Sequence, residues 1–526
     1  YLSNEYANPP ESIELDLLNL YQNADNDDVE DTVSQLKSWI TGLYEGEWNE
    51  HPSERDISDE DIFGEFIEAS RSALNEDILP SIERRFETYE ERWNEFQDER
   101  DEKREKQAEL QEEYRGYIDW DVYQEAIDNV ADDLRYDYED HLNGASTSSI
   151  DEDRWIDEVA AFRDELLALE NELSELESQY RYAIQWHEKW DRWLDITGKD
   201  YEGATQSDKE DIRGTFQLQT LNVLYNRLLL IRTFEDMGII GQVISNGFMH
   251  FFDEKVQMRE NQYIEPLTTA TRQAEEVYSP LFRRDTPHDW YHWEEPVIRT
   301  VLRRFDNFNF RNINRDIFGS MYQKCLDPEK RKQLGAYYTP PKAIRFLLDY
   351  SGFTTEEQNI KQPDEPVLDP ACGSGTFVLE SMDRIMNSLD DSGYDFTRDD
   401  DLLDAIEIVN DKLRGFDIDP FAVQLAQSNL LIRILQERRG AKNGDTHLEF
   451  PSFSVFETDS LLTAKESLDG NKDRFYRARE DDAEHLDEIV DAKESDYSWV
   501  IGNPPYVRSH NQDERVTMQY EQLHTT

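Results

Sequence analysis

The sequence predicts a doubly wound α/β domain on a parallel sheet, preceded by a large all-α region with an antiparallel coiled-coil hairpin. Three observations predict it. From about residue 335, short apolar runs alternate with helical patterns, and each run is followed by a turn bearing Asp, Gly or Pro. Residues 80–117 and 153–193 instead repeat large apolar residues at steps of four and three. Residues 201–325 are dominated by helical patterns. The chain therefore divides into an N-terminal helical region (1–75), a hairpin (76–200), a helical connector (201–325) and an α/β domain (326–526).

The chain of 526 residues is long enough for several sizeable cores. It carries no apolar run long enough to span a bilayer and no leader-like segment, so a cytoplasmic protein without membrane contact is expected. The two cysteines, Cys325 and Cys372, sit in no CxxC or Cys/His pattern, which argues against a disulfide framework or a zinc site. The net charge is −62, and only 17 of the 55 basic residues are lysines. The acids alternate with aromatics and leucines throughout, so the expected molecule is folded, with a carboxylate-covered surface, rather than disordered. Such a surface repels itself until salt screens it, and at molar salt the Debye length is about 3 Å. The composition resembles that of proteins from salt-in haloarchaea.

Residues 1–75 show short amphipathic patterns such as Ile57 to Leu74, without recognisable chemistry. In the first heptad segment, Ile82, Phe86, Tyr89, Trp93 and Phe96 form the stripe. In the second, the seam runs through Trp155, Val159, Phe162, Leu166, Leu169, Leu173, Leu176, Tyr180 and Ala183. The polar stretch Asn143 to Ser148 breaks helices between them. Two readings stand: a projecting hairpin arm that docks a partner protein through residues 80–193, or two core helices of an ordinary bundle. Residues 212–250 hold a buried helix ending at Gly238. From Arg283 to Arg345 there are 13 Lys/Arg and 8 Asp/Glu, a local reversal of charge that predicts a face near nucleic-acid phosphates, or else pairing with neighbouring acids.

In the α/β domain, Val367-Leu368, Leu413 to Phe416, Ser454 to Phe456 and Tyr497 to Ile501 read as strands. Ligands in such domains bind at the carboxyl ends of the strands. After the first strand comes Asp369-Pro370-Ala371-Cys372-Gly373-Ser374-Gly375-Thr376, whose glycines permit a sharp turn and close approach to a ligand. Such loops also serve plain strand-to-helix packing. After the second strand, Asp417 in Gly415-Phe416-Asp417-Ile418-Asp419-Pro420 is placed to hold two ribose hydroxyls, and Asp419 to cap the next helix. After the third, Asp459 of Thr458-Asp459-Ser460 is either an acceptor for an adenine amino group or a turn residue. After the fourth comes Asn503-Pro504-Pro505-Tyr506. The prolines fix the loop and leave carbonyl acceptors, Asn503 adds another, and Tyr506 offers a face for a base.

Together, over about residues 316–510, these motifs resemble the amino-methyltransferases. Their order is that of the gamma-type DNA adenine-N6 methyltransferases, which have a Rossmann-like catalytic domain. Gly335 to Pro341 is similar to the segment that closes over the methionine end of the cofactor. Leu228 to Gly238, Asp316 to Tyr322 and Arg331 to Pro340 are similar to the connector of large type IIG restriction–modification methylases and of BREX and DISARM phage-defence methyltransferases.

The resemblance implies S-adenosyl-L-methionine as cofactor, bound by Tyr338, Thr339, Pro340, Asp369, Ala371, Gly373, Gly375, Thr376, Asp417, Ile418, Asp459 and Ser460, with no metal. It implies Asn503, Pro504, Pro505 and Tyr506 as catalytic residues and double-stranded DNA as partner. The family's later strands and target-recognition domain follow the tetrapeptide, so the methyltransferase domain here is expected to lack its C-terminal part. No Asp…Glu-x-Lys constellation in residues 1–330 predicts DNA cleavage. Methylation of a protein glutamine, methylation of an RNA adenine, and a scaffolding role in a defence complex are the competing readings.

Overall fold

The computed structural model describes residues 55–114, 152–245, 263–282, 286–312, 341–353, 366–437, 449–460 and 483–503. It divides into two compact units, Arg84–Trp190 and the remainder of the chain.

The unit Arg84–Trp190 is helical. It contains most of α2 (Leu79–Tyr114), all of α3 (Glu152–Gln179) and the first part of α4 (Arg181–Thr197). Contacts run antiparallel: Phe86 meets Trp186 and Trp190 edge-on, Trp93 stacks on His187 at 3.8 Å, Tyr180 Oη donates to Glu99, and Lys103 pairs with Glu172 at 2.6 Å. The heptad positions Phe162, Leu166, Leu169, Leu176 and Tyr180 are buried, and Phe96, Leu176 and Tyr180 form one apolar cluster. The second segment is two helices rather than one, with the break at Tyr180. Arg92 of α2 causes no loss there: its guanidinium lies over the Tyr180 ring and donates to the Gln179 carbonyl at the end of α3.

In the other unit, α1 (Glu60–Ser72) starts at Asp59, whose carboxylate accepts from the backbone N–H groups of Asp61 and Ile62. A π-helical turn (Ala73–Ile78) joins it to α2. Phe66 packs against Phe305, Phe308 and Phe310, so residues 55–72 are fastened to the end of the connector.

The connector centres on α5 (Gln206–Asp236), which is capped by Thr205 and buried almost all round from Phe216 onward. Its end is fixed by buried charges. Arg232 donates to the carbonyls of Phe305 and Phe308 and to Asp236, and Asp236 accepts from the Phe310 N–H. Among the described residues three helices follow: α6 (Ile264–Val277), the short α7 (Ser279–Phe282) and α8 (Glu295–Phe305). No helix among the described residues is long and apolar enough to cross a membrane.

In the α/β domain the first described helix is α9 (Pro341–Tyr350). Among the described residues the domain has four strands, β1 (Val367–Asp369), β2 (Leu413–Asp417), β3 (Val455–Glu457) and β4 (Trp499–Val500), all parallel in the order β3-β2-β1-β4. Helices α10 (Thr376–Asp390), α11 (Asp399–Lys412), α12 (Pro420–Glu437) and α13 (Ala483–Glu494) make the crossovers. The chain winds from β1 outward to β3 and then returns to place β4 on the other side of β1. The strand order thus reverses between β1 and β4, which is where open α/β sheets place their ligand crevice, at the carboxyl ends of the strands.

The strands match the expected runs closely, but β4 is shorter. Tyr497 sits outside the ladder because its hydroxyl bonds the Ala492 carbonyl and its ring packs on the cluster of Leu368, Phe416, Phe456 and Ile489.

Candidate active site

β1 delivers Asp369 to the carboxyl edge of the sheet at this switch point, with 2% exposure. Its Oδ1 accepts from the Ala371 N–H at 3.1 Å, while its Oδ2 has no hydrogen-bond partner among the described residues. Burial, helped by the nearby Asp417 charge, pushes the carboxyl up to about 7. The chain after β4 runs directly against this group. A Cβ at position 502 would collide with the Asp369 carboxylate and come within 3.2 Å of the Pro370 ring, so only glycine lets the two strand ends approach. Ile501 N–H donates to the Leu368 carbonyl at 2.9 Å and fixes that approach. Asn503 is half-buried and one residue further on.

β2 delivers Asp417. Its Oδ2 accepts from Gly373 N–H at 2.8 Å and its Oδ1 from Asp419 N–H at 2.9 Å. Burial raises this carboxyl as well. The Gly-rich loop therefore lies across the end of β2, a placement also held by Cys372 N–H on the Phe416 carbonyl and by Asn429 on the Ser374 carbonyl. Gly373 and Gly375 both have positive φ, at 54° and 78°. Gly375 is also a close-approach position, because a Cβ there would lie 2.7 Å from Cβ and 2.9 Å from Cα of Ala426 on α12. At Gly373 the same atom would meet open space. Thr376 opens α10 immediately beyond.

Ile418 follows Asp417 with 45% of its surface exposed, an apolar side chain just beyond the end of β2. Asp419 caps α12, accepting from Phe421 N–H at 3.0 Å. Burial, then the charge of Asp417, pushes its carboxyl up to about 7. β3 delivers Asp459, half-buried, whose carbonyl accepts from Lys493 at 2.6 Å, and the exposed Ser460.

Of the residues singled out in the sequence, Asp369, Ala371, Gly373, Gly375, Thr376, Asp417, Ile418, Asp459, Ser460 and Asn503 thus lie at or just beyond the carboxyl ends of the four strands. Tyr338, Thr339, Pro340, Pro504, Pro505 and Tyr506 lie outside the described residues, as do Asp316 to Tyr322 and Arg331 to Pro340.

Two features of the site were not read from the sequence. Gln219 of α5 donates to Asp419 at 3.2 Å, and Tyr278 bonds Gln427 of α12 and accepts from the Phe453 N–H before β3. The available signal was a polar residue inside the otherwise leucine-rich stretch of α5. Within the basic stretch, Arg304 takes the second of the two readings, pairing with Asp77 at 2.8 Å and Glu76 at 3.7 Å.

Residues 313–525 match the family model for N-6 DNA Methylase. Among curated relatives, the adenine-specific methyltransferase PglX of Streptomyces coelicolor is 28% identical over 219 residues, 39% of this chain and 17% of that protein. DNA methyltransferase A of Bacillus subtilis is 27% identical over 249 residues, 43% of this chain and 26% of that protein. The MjaVII type I restriction enzyme methylase subunit of Methanocaldococcus jannaschii is 26% identical over 136 residues, 25% of this chain and 22% of that protein. The chain thus spans about a quarter or less of the length of these relatives. Residues 313–525 are thus similar to the N-6 DNA methylase domain, and the relatives that match this chain include adenine-specific and restriction-system methyltransferases.

Proposed function

We propose that this protein transfers a methyl group from S-adenosyl-L-methionine to the N6 amino group of adenine in double-stranded DNA. It would be the modification component of a restriction–modification or phage-defence system. The observation that carries this reading is the meeting of Asp369, Asp417, Asp459 and Gly502-Asn503 at the carboxyl edge of one parallel sheet, across its topological switch point.

The crevice suits the cofactor. The Asp369 Oδ2, buried without a partner among the described residues, fits the ammonium of the methionine part. Asp417 retains lone pairs on both oxygens for ribose hydroxyls. Ile418 offers an apolar face to a purine, and Asp459 an acceptor for its amino group. The bound cofactor supplies an electrophilic methyl group on a positively charged sulfur.

The remaining work belongs to the chain. Asn503 and the Pro504 carbonyl accept the two hydrogens of the adenine amino group, which leaves the nitrogen lone pair free to attack. Tyr506 stacks on the base, which must leave the duplex to reach this edge. These acceptors also stabilise the positive charge that develops on N6, and the surplus proton departs to water after transfer. Asp369 and Asp417 bind and orient. The helices of residues 80–193 are read as a docking arm for a partner protein of the same system.

Methylation mapping of a host genome carrying the full-length protein tests the proposal. N6-methyladenine at a defined sequence should be present with the wild type and absent with Asn503→Ala, while calorimetry shows cofactor binding intact in the variant. Persistent methylation in the variant would remove Asn503 from the chemistry.

A further inference from the structure

We propose that Gln219 is a positioning residue for the cofactor crevice, clamped by Trp193 so that it holds the Asp417–Asp419 turn against the Gly-rich loop. The inference deepens the function proposed above and rests on it.

A continuous run of hydrogen bonds carries the argument. The Trp193 indole N–H donates to Gln219 Oε1 at 2.7 Å. Gln219 Nε2 donates to Asp419 Oδ2 at 3.2 Å. Asp419 N–H donates to Asp417 Oδ1 at 2.9 Å, and Asp417 Oδ2 accepts from Gly373 N–H at 2.8 Å. Four links thus join the end of α4 to the loop that follows β1, through residues distant in the chain.

The chemistry dictates which group can occupy each place. An indole N–H only donates, so it selects the carbonyl oxygen of the Gln219 amide and turns the amide nitrogen toward Asp419. Trp193 is fully buried and Gln219 is 3% exposed, so neither can exchange its partner for bulk water without opening the core. Asp419 already spends Oδ1 on the cap of α12. The carboxyl group feels the like charges of Asp417 on its own turn and Glu457 of β3, with Lys199 the opposing cation. A neutral donor from Gln219 anchors this carboxylate without adding charge to the crevice. The amide therefore does what neither Glu nor Leu at this position would do: it fixes the turn while leaving Asp417 free to face a ribose.

Helix stability alone does not call for it. A glutamine among Phe216, Leu218, Leu221 and Leu224, reaching an acid 200 residues away, is a costly choice unless the turn must be held. The consequence is that cofactor affinity depends on the helical connector and on the base of α4, not on the α/β domain alone.

The test uses the full chain and isothermal calorimetry with S-adenosyl-L-methionine, alongside thermal melts. Gln219→Met keeps the shape and removes the donor; the expected result is about tenfold weaker binding, equal to about 1.4 kcal/mol. Trp193→Phe removes only the clamp and should weaken binding by about threefold. Gln219→Glu places a second carboxylate against Asp419, and its binding deficit should shrink as the pH falls from 8 to 6, because a shared proton restores a donor. A purely structural role would lower the melting temperature of all three variants and give no such pH recovery. If the wild type binds and Gln219→Met binds as tightly, or the Gln219→Glu deficit is flat with pH, the positioning role is overturned. If the wild type itself binds no S-adenosyl-L-methionine, the proposed function fails instead.

Discussion

Replacing each of the two glycines of the Gly-rich loop by alanine should produce opposite kinds of damage. Both have positive φ, 54° at Gly373 and 78° at Gly375, so alanine at either pays the left-handed penalty of roughly 1–2 kcal/mol. Only at Gly375 does the new methyl meet protein, 2.7 Å from Ala426 Cβ and 2.9 Å from its Cα. That neighbour belongs to the buried face of α12 and cannot swing aside, so overpacking adds roughly 1–3 kcal/mol. The total for Gly375→Ala is roughly 2–5 kcal/mol, a large share of an ordinary domain's stability of roughly 5–15 kcal/mol. Gly373→Ala meets open space and should melt only a few degrees below the wild type. Yet Gly373 belongs to the loop between β1 and α10 and donates to Asp417, so the proposed cofactor would lie against it. Gly373→Ala should therefore lose tenfold or more in S-adenosyl-L-methionine affinity while remaining folded.

Melts followed by circular dichroism, with calorimetry in the same high-salt buffer, separate the two variants. Gly375→Ala should be the less stable and Gly373→Ala the poorer binder per folded molecule. If Gly373→Ala binds like the wild type, the space beside Gly373 is not the cofactor's, and the site has been assigned to the wrong side of the loop.

Other outcomes follow from the same geometry. The Asp369 carboxyl titrates near 7 when folded and near 4 when unfolded, so the folded state holds its proton more tightly and stability falls as pH rises from about 4 through 7. Asp369→Asn should then raise the melting temperature at pH 8, lose that advantage toward pH 4, and bind the cofactor poorly; a pH-independent difference in melting would contradict the assignment. The net charge of −62 predicts a melting temperature that climbs steeply with KCl toward molar concentrations, and a flat dependence would refute the carboxylate-surface reading. Deleting 84–190 with a short linker should spare cofactor binding and impair genome methylation or partner assembly, whereas failure of the remaining chain to fold would make those helices part of its core.

What the sequence made legible was whatever is encoded locally. The strands could be read because a parallel strand covered on both faces becomes a continuous apolar run, and each run here ends in an acid, a glycine or a proline. The apolar stripes of α2, α3 and α4 could be read because heptad spacing survives without knowledge of the partner. The break at Tyr180 could not, since it is answered by Arg92 on the facing helix. Arg304 shows the same limit: its acid, Asp77, is 227 residues away, so a local count of charge could not find it. Gln219 and Asp419, 200 residues apart, were for the same reason invisible as a pair.

Three other buried acids show why Asp369 differs from ordinary structural carboxylates. Glu235 is also pushed up to about 7 by burial, but it accepts from the backbone N–H groups of Val243 and Ile244 and closes the turn after α5. Asp236 is equally buried and is answered by Arg232 and the Phe310 N–H. Asp289 is buried too, and the Arg227 guanidinium beside it draws its carboxyl below the usual range. In each case the desolvation cost is offset by a partner that the fold itself needs. Asp369 has one backbone donor, a like charge next to it in Asp417, and one oxygen with no partner among the described residues. An acceptor left in that state lowers stability without any return in packing. Its place at the switch point of the sheet, with Gly502 pressed against it and Asn503 next in line, is what such a cost is expected to serve: a cationic ligand group that arrives with the substrate.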